Sequence, residues 1–233
     1  MHRRPHPSEP FSLIHVGKCA GSSVGADLRA AGFQFDWVHV RKPELDANRC
    51  YVILVRDPVA RFVSAFQWRK HVLRGQIERL KDSCPGTLKQ RYEHDFLELF
   101  NDINTLAEQI DANNPTAGLH GAISLVQLIG HVPLGFAWYL DGLLERVDPG
   151  QLLAAVAVET LASDMQQVFG ISVQTTEKMH YSGKGSQLSE LGHQNLKRLF
   201  EGEYRTLRQL DRHLTAGGGY RPSLLKQLPP AGG

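Results

Sequence analysis

The chain has 233 residues, in which 26 lysines and arginines against 24 aspartates and glutamates leave a formal charge of +2. Hydrophobic residues make up 42% of the chain and charged residues 21%, which is the composition of an ordinary globular protein. This balance excludes a disordered acidic or basic chain and gives no support for a nucleic-acid-binding protein. The length allows one sizeable α/β domain or two small ones, and we expect one.

The cysteines and the apolar runs indicate where in the cell the protein is expected. Cys19, Cys50 and Cys84 are far apart and form no C-x-x-C pair, which argues against a disulfide framework and a cysteine-based zinc site. The start of the chain has no apolar stretch typical of a signal peptide, and the longest apolar runs are shorter than the roughly 20 residues of a membrane helix. We therefore expect a cytoplasmic protein with no membrane span and no metal.

The predicted elements begin after a short tail. Residues 1–10 and 215–233 are expected to be flexible, because glycine and proline there discourage regular structure, and a single domain is predicted over 11–214. The apolar run Phe11–Val16 predicts a strand. A helix follows it and ends at Gly32, which is typical of a helix C-terminus.

Two further strands are predicted over Asp36–Val40 and Tyr51–Val55. The second is β-branched and uniformly apolar, which is typical of a central strand in a parallel sheet. A helix follows at once, with Asp57 as its N-cap and Pro58 as its first residue.

Later segments continue this alternation. Ala154–Val158 predicts another buried strand, followed by a helix over Leu161–Phe169. Strands alternating with helices indicate a parallel sheet with helices on both faces, in which ligands bind at the carboxyl ends of the strands. Two more helices are predicted by apolar positions at helical spacing. One has its apolar face at Phe96, Phe100, Ile103, Leu106, Ala107 and Ile110, and a longer one includes Leu188, Leu191, Leu196, Leu199, Phe200, Leu207 and Leu210.

The loop after the first strand has the chemistry of an anion site. It consists of Gly17, Lys18, Cys19, Ala20, Gly21, Ser22 and Ser23. Its two glycines allow backbone N–H groups to turn inward, and the helix N-terminus and Lys18 add positive charge that suits a phosphate or sulfate. Either serine can cap the helix or donate to the anion. A tight turn with an exposed lysine is the alternative interpretation.

The order of residues in this loop separates it from two other phosphate sites. A nucleoside-triphosphate P-loop has lysine directly after its last glycine, whereas Lys18 precedes Gly21, which disfavours a kinase or ATPase. A cysteine phosphatase that used Cys19 would need arginine at position 25, which is Gly25. The loop therefore does not match either class.

A second anion-binding segment follows the strand Tyr51–Val55. Arg56 stands at its carboxyl end, where the guanidinium can fork onto a phosphate together with the Ser64 hydroxyl about two helical turns away. Asp57, Arg61, Ser64 and Trp68 fall on one polar stripe of this helix, opposite an apolar one. An ion pair between Arg56 and Asp57 or another carboxylate is the alternative. Together, the two segments predict a ligand with two separated anionic groups.

Both segments resemble a known family. Residues 15–23 resemble the H-I-P-K-T-A-G-T-S signature of the sulfotransferase family that includes heparan-sulfate 2-O-sulfotransferases and bacterial relatives. Residues 56–64 resemble its R-D-P-x-x-R-x-x-S signature and match every fixed position. The departures are Gly17 for proline, Cys19 for threonine and Ser22 for the second threonine. The resemblance implies a P-loop-like three-layer α/β fold, with a central parallel sheet flanked by helices.

The resemblance also implies the donor 3′-phosphoadenosine-5′-phosphosulfate (PAPS), with its product 3′,5′-bisphosphoadenosine (PAP). The Gly17–Ser23 loop, with Lys18, would hold the 5′-phosphosulfate, and Arg56 and Ser64 the 3′-phosphate. A late family segment that helps bind the donor corresponds to Ser182 and Lys184, for which a solvated loop is the alternative.

Sulfuryl transfer needs a cation at the leaving oxygen and a base for the acceptor. Lys18 suits the first task. By likeness to a G-H-V segment of the heparan-type enzymes, His39 is the predicted base, since a histidine titrates near neutrality. A structural histidine hydrogen-bonded at a strand edge is the alternative for His39.

The acceptor is less defined. The resemblance implies a hydroxyl of a carbohydrate or small glycoside. Seven basic residues lie between positions 69 and 91, against three acidic ones up to Glu93, and this excess of four positive charges (7 − 3 = 4) would attract an anionic saccharide. A solvated helix face is the favoured explanation of this excess. The competing functions are a P-loop kinase-like phosphotransferase and a non-catalytic nucleotide-binding module.

Overall fold

The structure is a computed structural model that describes residues 4–80, 88–100, 102–110, 126–174 and 187–228, and the side chains of these except 74–80 and 88–91. The chain divides into two compact units, which are described separately. The first comprises Met1–Asp57, Leu134–Lys178 and Gly202–Gly233, and the second Pro58–Pro133 and Met179–Glu201.

The first unit is built on a four-stranded parallel sheet. Its strands are β1 (Phe11–His15), β2 (Phe35–Val38), β3 (Cys50–Val55) and β4 (Leu152–Ala157), in the order β2-β1-β3-β4. Every residue of β1 and β4 is buried, which explains why β4 is uniformly apolar rather than alternating, while β1 includes the buried polar residues Ser12 and His15. The predicted α/β class with a parallel sheet flanked by helices is confirmed.

The helices of the described residues have the following bounds. They are α1 (Gly21–Ala30), α2 (Pro58–Leu80), α3 (Leu88–Glu98), α4 (Ile103–Gln109), α5 (Phe136–Leu144), α6 (Leu161–Phe169), α7 (Glu190–Leu199), α8 (Glu201–Gly217) and α9 (Ser223–Lys226). Short 3₁₀ turns cover Pro149–Gln151 and Val158–Thr160. Helix α2 begins at Pro58 and α6 spans Leu161–Phe169, both as predicted.

Helix α1 ends as the glycine pattern predicts. Gly32 has φ 80°, a left-handed conformation that glycine adopts without a steric penalty. Its N–H donates to the Arg29 carbonyl and the Phe33 N–H to the Leu28 carbonyl, both at 3.0 Å. These two bonds form a Schellman motif, which satisfies the last carbonyls of the helix.

The single helix predicted around Phe96–Ile110 is two helices, α3 and α4. Asp102 interrupts the pattern, because its carboxylate accepts a hydrogen bond from the Thr105 N–H at 2.8 Å and caps α4. The six predicted apolar residues are all buried. Helical spacing therefore identified the buried face but not the break.

The long helix predicted near Leu188–Leu210 also divides. It forms α7 in the second unit and α8, with the junction at Phe200. Leu191 is 55% exposed and does not belong to the core. Phe200, by contrast, is buried and packs on Phe62 within the second unit, with ring centroids 5.2 Å apart.

The polar stripe predicted for α2 is wrong at Arg61. This side chain is only 1% exposed, and its Nη1 donates to the His131 carbonyl at 2.8 Å. Nη2 lies 3.5 Å from the Val132 carbonyl. Arg61 therefore satisfies the carbonyls of a turn inside the second unit, a role that helical spacing alone does not reveal.

Residues 215–228, which belong to the predicted tail over 215–233, pack within the first unit. The Tyr220 N–H donates to the Leu153 carbonyl at 2.9 Å, and the Ala155 N–H donates to the Tyr220 carbonyl at 3.0 Å, so this residue pairs with β4. Arg221 forms a two-point ion pair with Asp211 at 2.6 and 2.7 Å. The glycines that suggested a loose tail instead turn the chain back, since Gly218 has φ 70°.

Candidate active site

The site is placed by the topology of the sheet in the first unit. From β1 the chain passes through α1 to β2 on one side, whereas β3 lies on the other side of β1 and β4 lies beyond β3. The connections that leave β1 and β3 therefore diverge. Such a switch point opens a crevice at the carboxyl ends of the strands, where ligands bind in α/β folds. Residues 16–20 follow β1 there and Arg56 follows β3.

The loop after β1 is held in an unusual backbone conformation. Lys18 has φ 71° and Ala20 has φ 56°, both in the left-handed region that residues with a Cβ atom rarely adopt. Gly17 and Gly21, to which the sequence assigns the turn, have no positive φ. The Cys19 N–H donates to the Val16 carbonyl at 3.1 Å and closes the turn.

Gly21 instead permits a close approach of α1 to the sheet. A Cβ atom at this position would overlap the imidazole ring of His15, which is buried at the end of β1. One turn later, a Cβ atom at Gly25 would overlap the Trp37 indole of β2. The glycines therefore bring the start of α1 directly onto the carboxyl ends of β1 and β2.

The N-terminus of α1 offers free backbone donors. Ala20 is the N-cap and provides no side-chain cap, so the predicted capping by Ser22 or Ser23 does not occur. The first bond into the helix is from the Val24 N–H to the Ala20 carbonyl, at 3.1 Å. The N–H groups of Gly21, Ser22 and Ser23 make no hydrogen bond to a described residue. Such groups form an anion-binding end of a helix.

Lys18 and Arg56 share this end of the sheet. Arg56 Nη1 donates to the Lys18 carbonyl oxygen at 3.2 Å. Burial, followed by the nearby charge of Arg56, lowers the pKa of Lys18 from 10.5 to about 8. A lysine whose charged form is disfavoured by a neighbouring cation belongs to a site that an anion would stabilise.

The alternative for Arg56, an ion pair with Asp57 or another carboxylate, is not found among the described residues. Within the described ranges, no carboxylate lies within 4.0 Å of the Arg56 guanidinium. The Asp57 carboxylate accepts from the Tyr204 hydroxyl at 2.7 Å, and its N–H donates to Glu159 at 2.9 Å. Asp57 is therefore engaged with Tyr204 and Glu159, and the Arg56 guanidinium bonds to the loop after β1 instead.

The two predicted anion sites are closer together in the structure than the sequence suggests. The sequence predicts two distinct anion sites, around Lys18 and Arg56. In the structure, Arg56 lies against the Lys18 loop itself, so these two residues form one cationic cluster. Ser64 lies in α2, in the second unit, and is half-buried. Its assigned contact with the 3′-phosphate stays a prediction.

His39 follows β2 and lies beside the end of β1. Its ring stacks on the His15 ring with centroids 4.3 Å apart and an angle of 17° between the planes. Nδ1 of His39 lies 3.0 Å from the His15 carbonyl oxygen. A carbonyl can only accept, so Nδ1 carries the proton and the neutral ring has its lone pair on Nε2. This is the tautomer that a base at Nε2 requires.

The sequence does not point to Tyr139 of α5. Its hydroxyl accepts a hydrogen bond from the Val40 N–H at 2.8 Å, directly after His39. The two residues are 99 positions apart, so no local spacing connects them. The sequence carries one signal for Tyr139, a hydroxyl within an apolar run. A buried tyrosine hydroxyl usually has a hydrogen-bond partner, so such a residue calls for one elsewhere in the fold.

Several predicted residues fall outside the site or outside the described residues. Ser182 and Lys184 belong to a segment that the structure does not describe. Of the basic stretch, Arg69 forms a two-point ion pair with Glu93, at 2.6 Å for each bond, and Lys70 donates to the Phe100 carbonyl at 2.6 Å. The other basic side chains of that stretch are not described, and its attraction for an anionic saccharide stays a prediction.

The described ranges contain no group of three or more His, Cys, Asp or Glu residues that could hold a metal ion. No described helix combines the length and apolar character needed to cross a membrane. Comparison of the chain with family models, curated proteins and solved structures finds no match.

Proposed function

We propose that this protein is a PAPS-dependent sulfotransferase with a P-loop-like donor site in its first unit. One observation carries the proposal. Lys18, Arg56, the free N–H groups of α1 and the Nε2 lone pair of His39 belong to the carboxyl edge of three adjacent strands. Anion binding and a base at one switch point are the two requirements of sulfuryl transfer from a charged donor.

The donor would bind through its charged groups. The phosphosulfate would lie at the N-terminus of α1, where Gly21, Ser22 and Ser23 can donate their N–H groups and Lys18 can supply a full charge. Arg56 is the described residue best suited to the 3′-phosphate, because its guanidinium has no carboxylate partner among the described residues and can fork onto phosphate. A bound dianion favours the ammonium form of Lys18.

The transfer step then uses two side chains. The acceptor oxygen attacks sulfur in line with the departing phosphate oxygen, so a new S–O bond forms while the S–O bond to the phosphate breaks. The acceptor proton passes to Nε2 of His39, and Lys18 stabilises the charge on the leaving oxygen of PAP. The acceptor class, a hydroxyl of a carbohydrate or small glycoside, follows from the resemblance of the two motifs.

Calorimetry on the full chain tests the donor. We expect PAP to bind at least about tenfold more tightly than adenosine 5′-phosphate, because charged hydrogen bonds contribute roughly 1.5–3 kcal/mol each. Arg56→Ala should remove most of this preference. If Arg56 only supported the loop, the affinities for both ligands would fall equally in Arg56→Ala. Arg49→Ala is the matched control, since Arg49 precedes β3 and pairs with Asp36 at 3.1 Å. Tighter binding of ATP than of PAP would favour a phosphotransferase.

Turnover tests the base. With labelled PAPS and a panel of glycans and phenols, His39→Ala should keep PAP affinity and lose about 10²- to 10⁴-fold of the transfer rate. His213→Ala is the control, because its Nδ1 also lies near a backbone carbonyl, that of Gln209 at 2.9 Å, but on α8. An unchanged transfer rate for His39→Ala would show that another residue is the base.

A further inference from the structure

We propose that Tyr139 is a positioning residue for His39, which it orients through the backbone of Val40. The functional part of this inference rests on the proposed sulfotransferase activity. The structural part, that the Tyr139 hydroxyl fixes the His39 ring, can be tested without it.

The first step is the conformation of Val40. This residue has φ 57°, in the left-handed region, where a β-branched side chain is a clear outlier. Its side chain is 61% exposed, so packing of the valine does not impose this conformation. Predicted strand Asp36–Val40 accordingly ends earlier, at Val38. Strained residues of this kind persist only where the surroundings hold them.

The second step is the group that holds it. The Val40 N–H donates to the Tyr139 hydroxyl at 2.8 Å, and Tyr139 is 1% exposed on α5. Two residues later, the Lys42 ammonium donates to the Trp138 carbonyl and lies 4.7 Å from the centre of the Trp138 ring. The segment after His39 is therefore attached to α5 at two adjacent positions.

The third step is the effect on the imidazole. The peptide between His39 and Val40 sets the direction of the His39 side chain, and the ring then meets the His15 carbonyl at 3.0 Å and the His15 ring at 4.3 Å. Without the bond to Tyr139, Val40 relaxes towards an ordinary φ and the peptide rotates. The Nδ1 contact that selects the Nε2 lone pair is then no longer fixed.

Ring ¹⁵N NMR of histidine in the full chain tests the structural part. We expect His39, assigned with His39→Gln, to show one tautomer with its proton on Nδ1. Tyr139→Phe should average its two ring-nitrogen shifts. Tyr51→Phe is the matched control, because this buried tyrosine also accepts a backbone N–H, that of Asp46 at 3.3 Å. A fixed Nδ1 proton in Tyr139→Phe would overturn the proposal.

Amide exchange of the unmodified chain gives a test that needs no variant to fold. The Val40 N–H, on an exposed residue outside a strand, should exchange at least about 100-fold more slowly than expected for an open chain, as a hydrogen-bonded amide does. Exchange at the open-chain rate would contradict the bond to Tyr139.

Kinetics tests the functional part. Tyr139→Phe should lower kcat about tenfold, with KM for PAPS and the Kd of PAP within twofold of the unmodified values, whereas Tyr51→Phe should leave kcat within twofold. An unchanged kcat in Tyr139→Phe would overturn the role of Tyr139. If the unmodified chain transfers no sulfuryl group while the NMR and exchange results hold, the proposed function fails and the positioning of His39 stands.

Discussion

Backbone strain at the scale of single residues gathers around the proposed site. Lys18, Ala20 and Val40 are left-handed non-glycine residues after β1 and β2, and a fourth, His131, belongs to the second unit. Each costs about 1–2 kcal/mol relative to an ordinary conformation. The contacts that hold these residues against the strain also keep the backbone N–H groups and the His39 ring in one arrangement before any ligand arrives.

The pKa of Lys18 predicts a pH dependence of donor binding. Burial and the Arg56 charge lower this pKa to about 8, so the ammonium is present below that pH and is lost above it. Between pH 8 and 9.5, where the phosphates of PAP are fully ionised, the affinity for PAP should fall by up to about tenfold per pH unit. Titration calorimetry at several pH values measures this slope. Lys18→Met should bind weakly and show no such slope, and a persisting slope in that variant would exclude Lys18 as its origin.

The contact between Gly21 and His15 predicts the effect of a single methyl group. Gly21→Ala should lower the free energy of unfolding by about 1–3 kcal/mol, because the new Cβ overlaps the imidazole. Gly202→Ala is the matched control in α8, since no atom lies within 4 Å of its added Cβ, and it should be neutral or stabilise by up to about 1 kcal/mol. Urea denaturation measures both, and equal effects would show that helix propensity rather than overlap dominates.

At the scale of the elements, buried charges join helices within the second unit. Glu93 of α3 is 2% exposed, and its carboxylate accepts two bonds from Arg69 of α2 and one from the Gly130 N–H at 2.7 Å. The charge count of this stretch places Arg69 among basic residues that would attract an anion. Its guanidinium is in fact satisfied internally.

Removal of the Glu93 carboxylate should therefore be strongly destabilising. Glu93→Ala leaves the Arg69 charge and the Gly130 N–H without their partner, and we expect a loss of about 3–5 kcal/mol in the free energy of unfolding. Glu44→Ala is the control, because its contact with Arg41 is 3.9 Å long and its side chain is 72% exposed, so a loss under about 1 kcal/mol is expected. Chemical denaturation compares the two, and similar losses would contradict a dominant role for burial.

At the scale of the whole molecule, the sequence predicted what local patterns encode. Apolar runs predicted the parallel strands, and residue types at the strand ends predicted anion-binding side chains there. The sequence assigned Lys18 and Arg56 to two separate anion sites, whereas in the structure they form one cationic cluster. Contacts between distant parts of the chain were not predictable. Tyr139 meets Val40 across 99 positions, and Arg61 is buried by a turn about 70 residues away. The pairing of Tyr220 with β4 has no periodic signal either.

This pairing predicts that the last part of the chain is needed for a stable sheet edge. A chain cut after Leu214 loses Tyr220, which bonds to Leu153 and Ala155, and Leu225, which is 2% exposed. An uncovered edge strand pairs with other molecules, so size-exclusion chromatography should show aggregation. A chain cut after Leu228 is the control and should elute at the same volume as the full chain. Identical elution of both would show that β4 needs no cover.

The position of Trp37 gives the proposed site an optical reporter of its own. Its indole meets the His15 ring edge-on at 5.0 Å, and the Arg29 guanidinium lies 5.4 Å from its centre. Fluorescence of an indole depends on neighbouring charges and imidazoles, and His15 in turn stacks on His39. The emission of Trp37, resolved from that of Trp68 and Trp138, should therefore change when a ligand or a substitution moves the stacked His15 and His39 rings, without a dye or a label.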